Sequence, residues 1–161
     1  MPPAAAPETA APEPAGGQTG TWKDPYRAFN FKVLVQGVGD GHFTECAGLA
    51  VRVQSIPYRE AGAGPVIHRL PGQIEYGEVT LRYGLTSSIE LWQWFLSAVQ
   101  GKVQRRSVSI VMLDDDGSAE VLRWNLINAW VTEWRGALLD ALGREAAIES
   151  MTLVFENLER G

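Results

Sequence analysis

Two histidines, His42 and His68, and one cysteine, Cys46, are all the chain offers to a borderline or soft metal. Neither histidine has the HExxH spacing and no second cysteine exists, so a Cys-pair or His-rich metal site cannot form within one chain, nor can an internal disulfide. Asp114, Asp115 and Asp116 run together, but calcium loops alternate their ligands. An acidic run ending in Gly117 between two strand-like segments reads as a solvated turn. Gly37, Gly39 and Gly41 are spaced as in a dinucleotide fingerprint. The segment after them, His42 to Cys46, has the pattern of a strand and supplies no helix N-terminus for a pyrophosphate, so the glycines read as a turn. Gly101-Lys102 follows a helical segment and lacks the upstream glycine of a P-loop. No serine sits in a G-x-S-x-G elbow. These residues predict no catalytic centre, no metal and no cofactor, and the lack of a site favours a structural role.

Tryptophan is the other conspicuous residue type, with 6 in the chain, and aromatic faces can form a ligand platform. Trp92, Trp124, Trp130 and Trp134 fall on an apolar helix stripe or on or beside strands, where core packing accounts for them. Trp94 projects near the polar side of the helix beside Glu90, which makes it a candidate contact for a neighbour. Lys102, Arg105 and Arg106 form a short basic cluster followed by the acidic turn, and read as a solvated connector or an inter-subunit ion-pair surface.

The elements that must carry these residues are mostly strands. Phe29, Phe31, Val33 and Val35 alternate with Asn30, Lys32 and Gln36, the period of a half-buried strand. Further strands are predicted over His42 to Cys46, Leu49 to Ile56 with Pro57 weakening or ending it, Glu78 to Tyr83, and Glu145 to Phe155. Ser107 to Leu113 and Val121 to Val131 form a hairpin about the Asp114-Gly117 turn. Arg59 to Gly72, rich in glycine and proline, is expected to be an unusually long loop, the kind that is functional or disordered. One helix is predicted between Ser88 and Gln100, with Ser87 and Glu90 as a capping box and Gly101 as its stop. Its apolar stripe is Leu91, Trp92, Phe95, Leu96 and Val99. The sum is α+β dominated by β: seven or so antiparallel strands in a barrel or sandwich with one helix at an open side.

Composition sets the outer bounds. The chain has 161 residues, 45% hydrophobic and 20% charged, with a net charge of −5. That suits one globular domain and has the wrong sign for a domain held on nucleic-acid phosphates by its overall field. The longest uncharged stretch in the folded part, Leu91 to Gly101, is far shorter than the ~20 residues that cross a bilayer. The start lacks the features of a secretory signal, so residence in the cytoplasm is expected. Residues 1–21, with Pro and Ala predominant and few charges, are expected to be a disordered tail ahead of a domain over residues 22–161.

The order of segments carries a resemblance. DPYRAFNFKV (Asp24 to Val33), GHFTECAGL (Gly41 to Leu49), HRLPGQIEYGEVTLRYGLT (His68 to Thr86), LWQWF (Leu91 to Phe95), GKVQRRSVSIVMLD (Gly101 to Asp114), VLRWNLINAWVTEW (Val121 to Trp134) and AIESMTLVFENLER (Ala147 to Arg160) together resemble the tail tube proteins of contractile phages. That family includes inner tube proteins of extracellular contractile injection systems. The resemblance implies two packed antiparallel sheets forming a small barrel with one flanking helix, a fold shared with the type VI secretion tube protein. It implies a non-enzymatic subunit, six copies to a ring, with rings stacked into a hollow tube inside a sheath. Its partners would be further copies of itself, the sheath protein, baseplate and tube-initiator proteins, and a cargo of protein or DNA in the lumen, without stable membrane association. Assembly would occur in the cytoplasm, before the particle acts or is released. On this reading Arg59, Glu60, His68 and Arg69 of the long loop, with Trp94, make ring or stacking contacts, and Lys32, Arg52, Gln54, Glu78 and Arg82 line the lumen. A baseplate tube initiator shares the fold and is the alternative role. The residues taken without the resemblance also leave open a monomeric ligand-binding or catalytic β-barrel.

Overall fold

Alternation becomes strand along most of the chain, as in β1, where Val33 and Val35 are buried, Leu34 between them is half-buried and Lys32 before them is exposed. The computed structural model describes residues 25–38, 41–62, 64–85 and 89–161. The expected tail and Ser87 of the expected capping box lie outside the described residues. In chain order the elements are β1 (Phe31–Val35), β2 (Phe43–Ala47), β3 (Val51–Tyr58), β4 (His68–Tyr76), β5 (Val79–Gly84), α1 (Glu90–Val99), β6 (Arg106–Leu113), β7 (Glu120–Arg135), β8 (Ile148–Val154) and β9 (Asn157–Arg160).

Seven strands form one antiparallel sheet in the order β1-β6-β7-β8-β5-β2, with β9 beside β7, while β3 and β4 form a separate two-stranded sheet. The long strand β7 makes two layers out of the large sheet. Residues Glu120 to Ala129 pair with β6, and Trp130 to Arg135 pair with β8. Asn128, at the junction, has φ 54, a left-handed conformation that asparagine tolerates better than most residues. Asn128 also donates from Nδ2 to Glu156 Oε2 at 2.7 Å, and Arg105 Nε reaches Glu156 Oε1 at 3.1 Å. A bridge between Val33 and Gly41 brings β1 to the approach of β2 and turns the folded sheet into a small barrel. Val33, Leu81, Leu126, Val131, Met151 and Leu153 fill it, each at most 1% exposed. Each such side chain contributes about 1.5–3 kcal/mol by leaving water.

The β6–β7 hairpin and its turn are as expected. Asp114 accepts from the N–H groups of Ser118 at 2.8 Å and Ala119 at 3.2 Å. The carboxyl is held below its ordinary range, chiefly by the bond from Ala119 and then by that from Ser118. Gly37 turns at φ 76 and is followed by strand β2, not by a helix.

Two expectations fail. The span Arg59 to Gly72 is not all loop, because β4 begins at His68 and its pairing with β3 runs through Pro71, opposite Ser55, and past Pro57 of β3, opposite Arg69. A two-stranded sheet has an outer edge on each strand, where a missing N–H costs nothing. Gly72 sits by a register shift, and a Cβ there would be 3.1 Å from Gln54 O. With β4 and β9 added, nine strands are described, not seven or so.

The helix is also rotated from its expected face. Trp94 is 1% exposed whereas Trp92 is 38% exposed. The Trp94 indole Nε1 donates to Gln104 O at 2.7 Å, and the Arg106 guanidinium lies 5.5 Å from its ring centre. With its one donor satisfied and its face covered by a cation, the Trp94 indole rather than that of Trp92 goes into the core. Trp92 packs at the margin, 4.7 Å from Trp134. Trp94 is therefore withdrawn as a contact for a neighbour.

The helix begins at Glu90, with Ile89 at the N-cap and no side-chain cap bond there. Its end is as expected. Gly101 at φ 74 donates to Ala98 O, and Lys102 donates to Ser97 O at 2.8 Å, the paired bonds of a Schellman stop.

Candidate functional site

The separate hairpin is the feature that the barrel does not need. Strands β3 and β4 pair from Val51 opposite Tyr76 at the root to Tyr58 opposite His68 at the far end. The root is fastened to the barrel. The Tyr76 ring lies 5.4 Å from Phe155, its hydroxyl donates to Asn157 Oδ1 at 3.0 Å, and the Gly77 N–H donates to Ala50 O at 2.8 Å. Gly48 makes the approach possible. Its φ is 91, and a Cβ there would stand 2.2 Å from Glu78 O, closer than any side chain can be.

Beyond the root, apolar side chains meet water. Val51, Val53, Ile56, Tyr58, Val66, Ile67, Leu70 and Ile74 are each between 45 and 59% exposed. Val53 stands opposite Ile74 and Ile56 opposite Leu70, so the exposed residues form cross-strand pairs. A lone two-stranded hairpin is marginal in water. An apolar patch on such an arm marks a surface for a partner. At the far end Arg59 and Glu60 leave β3 while His68 and Arg69 begin β4, all exposed. Gly62 at φ 90 and Gly64 at φ 70 bend the connection. Four of the five expected interface residues thus converge on one tip, and Trp94 does not.

The expected lumen residues do not share a surface. Lys32 alternates with the core residues of β1 and Arg82 with those of β5, so they point outward from opposite layers. Arg52 and Gln54 are on the arm, where Gln54 hydrogen-bonds Glu75. Glu78 lies in the connector after β4. Arg82 pairs with Glu45 at 3.2 Å and Arg135 with Glu133 at 2.9 Å, so charges on the outer face of the β7-β8-β5-β2 layer are neutralised locally.

Sequence reading passed over the β7–β8 connection, where Leu138, Leu139 and Leu142 are 88, 79 and 92% exposed. The signal was three leucines in a glycine-bounded segment, Gly136 to Gly143, with one charge, Asp140, and no strand period. Beside them lies an open cleft of about 500 Å³ lined by Arg82, Leu138, Asp140, Arg144, Glu145 and Ile148, among others. Among the described residues no group of three or more His, Cys, Asp and Glu side chains could hold a metal ion. No described helix is long and apolar enough to cross a membrane. Burial pushes the Cys46 thiol up to about 11 and the Tyr83 hydroxyl to about 12, so neither offers a ready nucleophile at neutral pH.

The fold is therefore a two-layer β-barrel with one flanking helix and a projecting apolar arm, the architecture of tail tube proteins. The chain belongs to the family of the T4-like virus tail tube protein gp19, which residues 27–159 match. Among solved structures it is similar to a chain of an extracellular contractile injection system, the PVC sheath-tube complex in its extended state. There the identity is 26% and the TM-score 0.77, covering 85% of this chain and 91% of that one. It is also similar to a chain of the PVC sheath/tube terminator in its extended state, at 27% identity and a TM-score of 0.78, covering 86% and 98%. Hcp1 from Flavobacterium johnsoniae shares the fold, at 16% identity and a TM-score of 0.52, covering 81% and 94%. No curated protein matches the chain.

Proposed function

We propose that this chain is the inner tube subunit of a contractile injection particle, six copies closing into a ring and rings stacking into a hollow conduit. The observation that carries the reading is the β3–β4 arm, whose exposed apolar pairs have no use in a monomer. Likeness to a chain of a sheath-tube complex over 91% of that chain supports it. Burial of the arm against further copies would drive assembly, with Arg59, Glu60, His68 and Arg69 at the tip fixing its direction by polar contacts. The action is mechanical and needs no catalysis. Sheath protein surrounds the tube, baseplate and tube-initiator proteins begin it, and a cargo of protein or DNA occupies the lumen. The particle is assembled in the cytoplasm and then delivered or released. Arg82 and the locally paired charges around it suit a channel wall that does not grip its cargo.

A second reading, a subunit that begins or ends the tube, is favoured by the likeness to a chain of the terminator structure over 98% of that chain. Copy number separates the two, since a tube subunit recurs ring after ring and a terminal one does not. Negative-stain electron microscopy of the purified chain over a rising concentration series tests the main reading. Six-fold rings and hollow tubes that lengthen with concentration are expected; monomers at every concentration would remove it.

A further inference from the structure

Three consecutive residues, Phe155, Glu156 and Asn157, carry the chain from β8 into β9 and touch three other parts of the molecule. The corner they make lies beside the bend of β7. Ile127 is opposite Asn157 of β9, Trp130 is opposite Val154 of β8, and the Glu156 N–H donates to Ile127 O at 3.0 Å. Between those two pairs stands Asn128 at φ 54, the one residue other than glycine with a positive φ among the described residues. The Glu156 carboxylate spans the bend, where Oε2 accepts from Asn128 Nδ2 at 2.7 Å and Oε1 accepts from Arg105 Nε at 3.1 Å, at the approach to β6. The residues on either side of Glu156 meet the root of the arm. The Phe155 ring lies 5.4 Å from that of Tyr76 in β4, and Asn157 Oδ1 accepts from the Tyr76 hydroxyl at 3.0 Å and from the Leu158 N–H at 2.9 Å.

Chemistry decides which of these ties can be undone. Phe155 is buried and its contact is apolar, and a side-chain amide such as that of Asn157 does not titrate. The Glu156 side chain is 54% exposed, so solvent protons reach it. Ionised, it accepts from both partners. Protonated, one of its oxygens carries a hydrogen that neither partner can take, since an amide nitrogen and a guanidinium only donate. The bond from Asn128 does most to hold the carboxyl below its ordinary range; partial desolvation opposes it, and the bond and charge of Arg105 add to it. A carboxyl held low in the folded form contributes fully above its ordinary value and loses that contribution as pH falls through the folded value.

We propose that Glu156 is an acid-released clasp that joins the bend of β7 to the root of the arm through the corner of Phe155, Glu156 and Asn157. With the carboxylate ionised, Asn128 is held in its left-handed conformation and the corner presents Asn157 to Tyr76. Protonation lets go of Asn128, a residue whose backbone depends on its surroundings to stay where it is, and the loosened corner passes the change to Tyr76. The groups that face Glu156 are Arg105, a guanidinium and so permanently charged, and the Asn128 amide; β9 and β4 bring the Asn157 amide and the Tyr76 hydroxyl to the same corner. The Asp114 carboxylate, also held low by hydrogen bonds, stands at the other end of the β6–β7 pairing, beyond Leu113 opposite Glu120 and far from Arg106 opposite Ala129. An exposed ion pair is worth little by itself, so local loosening is expected and not unfolding. The clasp belongs to the single chain and works in a monomer; on the assembly reading above it would make the angle of the arm acid-sensitive.

Hydrogen exchange of the full-length chain, read peptide by peptide in a mass spectrometer at assembly-free concentration and corrected for the intrinsic rate at each pH, tests the clasp. Between about pH 7 and about pH 3, protection of the bend (residues 126–130) and of the arm root (residues 74–78) is expected to fall together severalfold, while residues 151–153 of β8 stay protected. Glu156→Gln is expected to have lost protection at both places already at pH 7 and to show no further acid loss there. Arg105→Gln removes the cation and is expected to move the acid loss to higher pH, a shift that a merely structural role would not produce. Tyr76→Phe deletes the hydroxyl at the root and is expected to loosen the bend as well, because coupling between two sites is reciprocal. An acid response in Glu156→Gln that superimposes on that of the wild type would overturn the clasp. Loosening of the bend with the arm root unmoved in Glu156→Gln, and no change at the bend in Tyr76→Phe, would overturn the link between them. Should Glu156→Gln fail to fold, Arg105→Gln decides, and an acid midpoint that stays in place overturns the proposal.

Discussion

Trp94 and Trp92 differ by two positions and exchange the environments that helical spacing assigns them. The stripe from Leu91 to Val99 counts apolar residues, but it does not count the carbonyl of Gln104 waiting 2.7 Å from the Trp94 indole or the Arg106 guanidinium over its ring. Trp94→Ala is accordingly expected to cost about 3–5 kcal/mol of stability, the range for emptying a buried aromatic site, and to do so in the isolated monomer; urea denaturation at assembly-free concentrations measures it. Gly48 is the other residue on which much turns. Gly48→Ala would press a Cβ against the Glu78 carbonyl at a φ that alanine resists, and a loss of about 2 kcal/mol or more is expected from strain of this kind. Cys46 is a negative control for reactivity. With its thiol raised to about 11 by burial, it should label slowly with a maleimide at pH 7 and faster as pH climbs toward that value, provided the fold persists.

At the scale of elements, the strands most legible in the sequence are those with one wet face. In β1 and β5 the alternation of Val33 and Val35 with Lys32, and of Val79, Leu81 and Tyr83 with Thr80 and Arg82, is the burial pattern itself. The β6–β7 hairpin was legible through its turn, and the Asp114 carboxylate that receives two N–H groups there gives it a pH signature. Because the folded form holds Asp114 below its ordinary pKa, its contribution to stability is complete above that ordinary value and lost as pH falls through the folded value. Asp114→Asn should flatten that part of the acid limb in a series of urea midpoints. Strand β4 was illegible because Pro71 and Gly72 read as loop chemistry. Only the pairing with β3 in a separate two-stranded sheet places Pro71 on a strand with an open edge, where proline is tolerated. The arm tip was half legible. Arg59, Glu60, His68 and Arg69 were expected together, but as a floppy crossing and not as the end of a paired hairpin. The exposed leucines of the β7–β8 connection were missed because exposure is a tertiary property: Leu138, Leu139 and Leu142 would read equally well as core.

For the whole molecule, the opposed terms are apolar burial and like charge. Each chain carries −5, so on the proposed assembly closing copies into a ring would bring net negative charge together, while the exposed apolar side chains of the arm would gain by leaving water. The described ion pairs of the barrel are exposed and within the chain, such as Arg82–Glu45 and Arg105–Glu156, and give the assembly little to lose when salt screens them. Deleting residues 61–65 should therefore leave monomer Tm nearly unchanged, because the hairpin is fastened at Tyr76 and Gly77 and not at its tip, while tube yield in sedimentation falls severalfold or more. Arg69→Glu should weaken growth less, since it adds one more negative charge at the tip and leaves the apolar pairs intact. Salt discriminates the driving force. Raising sodium chloride from about 0.05 to 0.5 M shortens the screening length several times over, which relieves repulsion between copies without touching apolar burial, and sulfate strengthens that burial further. Tube yield is expected to rise along both series, and part of the Arg69→Glu deficit should be recovered at high salt. Tubes that dissolve in sodium chloride would instead mean that ion pairs at the tip hold the rings together and that the exposed apolar surface of the arm has another use.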